Sequence, residues 1–407
     1  MFLLAHYSEL NVYFNHYGQR LLCGRLVLSN EKASRILFEY APSFFEQNIN
    51  ISPFKLPLQR GQFYDEKSTF DGLMGVFDDS LPDGWGRLLI DRALREFYAQ
   101  KKYNLNSLFI SPLDRLALAG CKAMGALEYE PIIDDASIDY NSIKGLDFDN
   151  LADKSLAILQ DKVLPLEEIN KLCILNGSSG GARPKVLVNI QQKENKGEVF
   201  STSEGEPWLI KFRNQSDSLD VGLDEYIYSI LAKKAGIDMP LTRLFRSKNC
   251  AGFFGTKRFD RQNGIKIHTH SACGLLHANF RLPSMSYEGL LRLCLLLTND
   301  IQEVIKLFRV MVFNVAIHNY DDHTKNFSFC MDEKYQWKLS PAYDLLPSYH
   351  CNEHATTVNN KGKDININDM LEVAKQANIA PKKAKHIIEK VYDTVSTYET
   401  LKKDYSG

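Results

Sequence analysis

Between His318 and Phe327 the chain reads His-Asn-Tyr-Asp-Asp-His-Thr-Lys-Asn-Phe, two acids, basic side chains and amides set in otherwise apolar sequence. Asp321 and Asn326 stand five apart. At that spacing one loop can offer a carboxylate that orients an attacking hydroxyl and an amide oxygen that holds Mg²⁺, the division of labour in phosphoryl transfer. A polar loop with a capping side chain is the plainer reading. Eighteen residues after Asn326 comes Asp344, inside the apolar run Leu339-Ser340-Pro341-Ala342-Tyr343-Asp344-Leu345-Leu346-Pro347. A second metal-binding carboxylate would be placed this way, although an aspartate capping a backbone turn would look the same.

Three earlier features fit the same chemistry. Ser178-Ser179-Gly180-Gly181-Ala182-Arg183-Pro184-Lys185 precedes an apolar run. Small residues let the backbone approach a phosphate, and its N–H groups and a lysine can hold the charge. The spacing is not that of a Walker A loop, and alone it reads equally as a glycine turn. Lys211 sits inside Trp-Leu-Ile-Lys-Phe, on a solvated strand face or in a cleft where its ammonium needs an anion. Glu225 is that anion or an ordinary first-turn acid. Five unrelated explanations, in the order glycine-rich loop, lysine, glutamate, Asp-x-x-x-x-Asn, aspartate, are improbable together. The set supplies a phosphate cradle, a cation, two Mg²⁺ ligands and a base.

These residues need a framework. Branched and aromatic residues predict strands at Arg20–Ser29, Ile36–Tyr40, Val186–Ile190, Trp208–Phe212 and Ala251–Arg258. Helical spacing predicts helices within Leu81–Gln100 and at Asp224–Ala235, Tyr287–Thr298, Ile301–His318, Asp369–Ala377 and Pro381–Asp404. The acidic stretch from Pro131 to Asp153 is the best boundary. The order is a mixed domain, a strand-rich lobe and a helical lobe.

Composition bounds the rest. The 407 residues are 44% apolar, and 49 Lys+Arg offset 50 Asp+Glu, which argues against a dedicated nucleic-acid coat and against disorder. No apolar run approaches the ~20 residues of a membrane span, and the N-terminus is a poor signal peptide. Eight scattered cysteines without a C-x-x-C pair read as reduced core residues of a cytosolic protein. Trp85 reads as buried, and the lysines Lys382, Lys383 and Lys385 as a solvated helix face.

At these motifs the chain resembles the HipA family, the serine/threonine kinase toxins of bacterial toxin–antitoxin pairs. The resemblance rests on SSGGARPK, WLIKF, KRFDR (Lys257 to Arg261), HTHSACGLL (His268 to Leu276), DDHTKNFS and SPAYDLLP. SLPDGWGR (Ser80 to Arg87) and LDRLALAGCKAMGALEY (Leu113 to Tyr129) extend it over nearly the whole chain. It implies an α+β, protein-kinase-like two-lobed fold with an additional N-terminal mixed α/β domain. The expected segments are 1–135, the glycine-rich-loop lobe at 150–262 and the helical lobe at 263–407.

By position, the resemblance implies that Asp321 is the catalytic base and that Asn326 and Asp344 hold Mg²⁺. Lys211 would contact the ATP phosphates. Ser179, Gly180, Gly181, Ala182 and Lys185 would form the loop over them, Lys257, Arg258 and Phe259 the hinge at adenine, and His323 and Lys325 further nucleotide contacts. Ser178 would be autophosphorylated, silencing the enzyme, with Ser179 the adjacent alternative. Two departures stand out: His318-Asn319-Tyr320 precedes Asp321 where many kinases have His-Arg-Asp, and Pro184 removes a loop N–H. A HipB-like helix-turn-helix antitoxin, operator DNA bound mostly through it, and a translation component such as an aminoacyl-tRNA synthetase are the implied partners. A DNA-bound co-repressor with little turnover and a small-molecule or lipid kinase are the alternatives.

Overall fold

The structure is a computed structural model and describes residues 7–29, 35–103, 110–132, 145–193, 197–201, 204–283, 285–348 and 352–406. Most of the expected boundary at 131–153 lies outside the described residues, as does Cys351. Two compact units emerge: Met1–Ile49, Leu58–Gly222 and Arg243–His268 form the first, and Asn50–Pro57, Leu223–Thr242 and Thr269–Gly407 the second.

The first unit holds two sheets. β1 (Glu9–His16), β2 (Gln19–Leu28), β3 (Ile36–Tyr40), β4 (Gln62–Phe63) and β5 (Leu127–Glu130) lie in the order β4-β3-β2-β1-β5. Leu10, Val12, Phe14 and His16 alternate into the core, the period expected of a half-buried strand. Tyr17 and Gly18 both take positive φ, 49° and 80°, which suits the tight turn joining β1 to β2.

Five helices follow β4: α1 (Gly75–Asp78), α2 (Gly84–Gln100), α3 (Pro112–Ala119), α4 (Phe148–Leu159) and α5 (Leu166–Asn176). A capping box between Ser111 and Asp114 starts α3, and the Asp147 carboxylate caps α4. The second sheet has the order β7-β6-β8-β10-β9, from β6 (Lys185–Lys193), β7 (Gly197–Ser201), β8 (Glu206–Lys211), β9 (Thr242–Phe245) and β10 (Phe253–Lys257). The short β11 (Arg261–Gln262) and β12 (Ile265–Lys266) form a hairpin.

One apolar cluster joins α2 to this second sheet. Trp85, Leu89 and Ala93 pack with Leu151 and Ile158 of α4, Leu172 and Leu175 of α5, and Val186, Trp208 and Ile210 of the strands. Each such side chain contributes roughly 1.5–3 kcal/mol on burial. Trp85 is buried, as expected.

The second unit is mainly helical. It comprises α6 (Val221–Lys234) from Leu223 on, α7 (Ala272–Leu276), α8 (Tyr287–Thr298), α9 (Ile301–Ala316), α10 (Ile367–Gln376), α11 (Pro381–Val395) and α12 (Tyr398–Ser406). β13 (Thr269–Ser271), β15 (Ser328–Met331) and β16 (Trp337–Leu339) form a small sheet, and β14 (Met285–Ser286) pairs in parallel with β17 (Thr356–Thr357). α9 buries Val304, Leu307, Phe308, Met311, Val312 and Phe313, so it is apolar nearly all round and forms the centre of the unit.

The single helix expected over Pro381–Asp404 is instead two. At the break the Ser396 and Thr397 hydroxyls donate to the Asp393 and Thr394 carbonyls, competing with the helical ladder. α12 then settles on α6, with the Tyr398 ring stacked on Tyr228 at 4.7 Å and its hydroxyl 2.6 Å from Asp224. Lys382, Lys383 and Lys385 are exposed, as expected. The cysteine expectation needs correction: Cys23, Cys273 and Cys294 are buried, but Cys121 is exposed on the short turn after α3.

Candidate functional site

The expected site residues fall in two groups, one in each unit. In the first, α5 stops at Gly177, whose N–H caps the Cys173 and Ile174 carbonyls. The chain then runs through the glycine-rich loop into β6. Gly181 has φ +96°, a conformation that favours glycine. Its N–H donates to the Asp83 carboxylate just before α2, and its carbonyl accepts the Trp85 N–H at 3.1 Å. Lys185, buried, donates to the Gly180 carbonyl and aligns across the ladder with Lys211 of β8. The Lys211 ammonium lies 5.7 Å from the Phe254 ring centroid. Ala182 lies between Gly181 and Arg183, and Arg183 forms a two-pronged ion pair with Asp217 at 3.0 and 3.1 Å.

Both loop serines are buried. Ser178 Oγ accepts the Met124 N–H at 2.7 Å and faces the Lys122 carbonyl at 3.4 Å. Ser179 Oγ bonds the Asn176 backbone carbonyl and side-chain oxygen, both at 2.9 Å. Lys122, Met124 and Asp83 therefore hold the loop from one side, a restraint with no local signal in the sequence.

The residues expected at the adenine hinge are also engaged. Lys257 pairs with Glu206 at 2.5 Å, and the Arg258 N–H donates to the Pro207 carbonyl at 2.9 Å. The Arg258 guanidinium turns to Asp260, which also takes Arg261 and the Gly125 N–H. Burial alone would raise the Asp260 carboxyl; the two guanidiniums override it and hold it well below the usual carboxylate range. Phe259, partly buried, sits between these two charged neighbours.

In the second unit α9 ends at Ala316, and the loop carrying Asp321 to Asn326 returns as β15. The Asp321 side chain is 61% exposed, with His323 Nε2 3.9 Å away. Asn326 donates its side-chain N–H to the Asp321 carbonyl at 2.7 Å, turning its amide oxygen the other way. His323 and the Lys325 ammonium both lie against Phe280, at 5.3 and 4.8 Å. Asn326 and Asp344 line one cleft with Asn314, Asn319 and Tyr343. The oxygens of an amide and a carboxylate suit a hard cation such as Mg²⁺, which keeps several waters and needs few protein ligands. Among the described residues no group of three or more His, Cys, Asp or Glu is placed to hold a metal ion.

Asp322, next to Asp321, was not singled out by the sequence and is fully buried. Its carboxylate accepts the Tyr287 hydroxyl at 2.8 Å, contacts His354 Nδ1 at 2.8 Å and accepts the Thr356 N–H at 3.1 Å. Its carbonyl accepts the Thr356 hydroxyl at 2.5 Å. The exposed carboxylate can reach a substrate; the buried one anchors the loop. Doubled aspartates were the visible signal, and burial alone separates their roles.

Comparison with known proteins adds the lineage of this arrangement. A family profile described as the HipA-like C-terminal domain matches residues 177–398, and the HipA N-terminal domain profile matches residues 11–130. A curated protein of Sinorhizobium fredii named "Putative kinase Y4dM" is 26% identical over 155 residues, 35% of this chain; the match spans 37% of that relative's length. A solved structure of the Shewanella oneidensis toxin–antitoxin system HipA, HipB and its operator DNA superposes with a TM-score of 0.67. It is 16% identical and covers 98% of this chain and 95% of its own, so the likeness is one of fold.

Proposed function

The chain belongs to the HipA family, with a kinase-like fold and an additional N-terminal domain, and we propose that it is an ATP- and Mg²⁺-dependent protein serine/threonine kinase acting as a growth-arresting toxin. The observation that carries this reading is the shared cleft of Asn326 and Asp344, with Asn326 bonded to the backbone of Asp321. On this reading the exposed Asp321 carboxylate orients and deprotonates the acceptor hydroxyl. Asn326 and Asp344 present oxygens to Mg²⁺, which when bound neutralises charge on the transferring phosphoryl group. Lys211 and Lys185 supply cations for phosphate, and Ser178 is the residue that autophosphorylation would modify. A HipB-like helix-turn-helix antitoxin with its operator, and a translation component such as an aminoacyl-tRNA synthetase as substrate, are part of the same proposal.

The test is incubation of purified protein with ATP and Mg²⁺, followed by intact-mass and peptide mass spectrometry beside Asp321→Asn. A phosphate on Ser178 or Ser179, reduced about 10²–10⁴-fold in rate in the variant, is the expected outcome. A fully active Asp321→Asn protein overturns the base assignment. One observation favours a second reading, a co-repressor with little turnover: the Gly181 N–H is held by Asp83 and Ser178 is buried. ATP binding without any phosphate transfer would select it.

A further inference from the structure

Asp344 adopts φ +59°, a left-handed conformation uncommon among non-glycine residues and reached most often by Asn, Asp and His. His318, three residues before Asp321, does the same at φ +57°. Between them in space lies Asn319, only 3% exposed. Its side-chain amide spends two donors: one on Asn314 Oδ1 at 3.0 Å, one on the carbonyl of Asp344 at 3.2 Å. Its backbone N–H donates to the Asn314 carbonyl at 2.9 Å, and it forms a parallel bridge with Ser348. Asn319 is thus fixed to the end of α9 at two points and grips the Asp344 backbone with a third.

The chain of bonds continues. Asn314 Nδ2 donates to the Tyr287 hydroxyl at 2.9 Å, and that hydroxyl donates to Asp322. One buried polar relay therefore runs from the Asp344 carbonyl to the residue beside Asp321. Each member has its partner, which makes such a relay rigid.

We propose that Asn319 is a positioning residue: it holds Asp344 in its left-handed conformation and so fixes the metal-facing carboxylate relative to the Asp321 loop. The inference rests on the metal role assigned above to Asp344. Asn319 acts through the Asp344 backbone, whose carbonyl accepts its side-chain N–H. An outer partner of this kind typically changes metal affinity 10- to 100-fold when removed.

Two variants of the full chain test it. Asn319→Ala removes the donors, and Asn319→Asp keeps the size while exchanging donors for acceptors. Mn²⁺ binding, read by electron paramagnetic resonance with a non-hydrolysable ATP analogue, should weaken about tenfold or more in both. Amide hydrogen exchange of the 340–348 segment in metal-free protein should accelerate about tenfold, with the α9 amides unchanged. Asn319→His, which keeps an N–H donor, should recover part of both. Wild-type Mn²⁺ affinity and exchange in either folded variant overturns the proposal. So does acceleration spread over α9, which marks a general loss of stability. A wild-type protein that binds no Mn²⁺ overturns the metal reading of Asp344, and this inference with it; wild-type binding that Asn319→Asp leaves intact overturns the inference alone.

Discussion

Asp321 and Asp322 are chemically identical neighbours with opposite fates. Asp321 is largely exposed, while Asp322 is sealed in hydrogen bonds from Tyr287 and Thr356 and against His354. Replacing either carboxylate should therefore fail in a different way. Asp321→Asn should remove phosphotransfer and leave thermal stability near wild type. Asp322→Ala should cost about 1–3 kcal/mol or more, because it leaves the buried Tyr287 hydroxyl and Thr356 N–H without their acceptor; thermal denaturation would separate the two. Ser178 makes the same point about context. Its hydroxyl is enclosed by residues 122–124, so phosphorylation requires the loop to leave that socket. Ser178→Ala should abolish most self-phosphorylation, and label persisting on another residue would refute the assignment.

At the scale of elements, the glycine-rich loop and its neighbours behave as one clamp. Asp83, immediately before α2, takes the Gly181 N–H, the group a bound phosphate would want. Asp83→Ala should tighten nucleotide binding about two- to tenfold, the weight of one net hydrogen bond, as read by calorimetry. Unchanged or weaker binding would show that the carboxylate does not compete with nucleotide. The Asp260 cluster fastens the β10 end to residues 123–125. Its carboxyl is held low in the folded state. It therefore stabilises the fold at pH above the unfolded value of about 4, and that contribution is lost as pH falls through the lower folded value. Asp260→Asn should lower the melting temperature at pH 7 and flatten its decline between about pH 5 and pH 2.

For the whole molecule, the near balance of 49 basic and 50 acidic residues leaves little general attraction for a polyanion. The isolated chain should therefore retard operator DNA weakly at about 150 mM salt, and a helix-turn-helix partner should restore retardation. Strong, salt-dependent binding by the chain alone would contradict that division of labour. Among the described residues no helix is long and apolar enough to cross a membrane.

Some of this was written locally in the chain. The strands at 19–28, 36–40 and 206–211 and the helices at 84–100, 287–298 and 301–316 follow from side-chain period, which acts over a few residues. Asp321, Asn326 and Asp344 could be chosen because their spacing is itself the chemical signal. The break between α11 and α12 was missed because apolar spacing continues across it while two hydroxyls end the ladder. The tertiary structure alone decided the rest. It paired Asp83 with Gly181 across 98 residues and Asp260 with Gly125 across 135, and it set Asn319 on Asp344. Periodicity carries no information about such partners. They are chosen by which surfaces the apolar cores bring together, and by the cost of leaving a buried donor or charge unpaired.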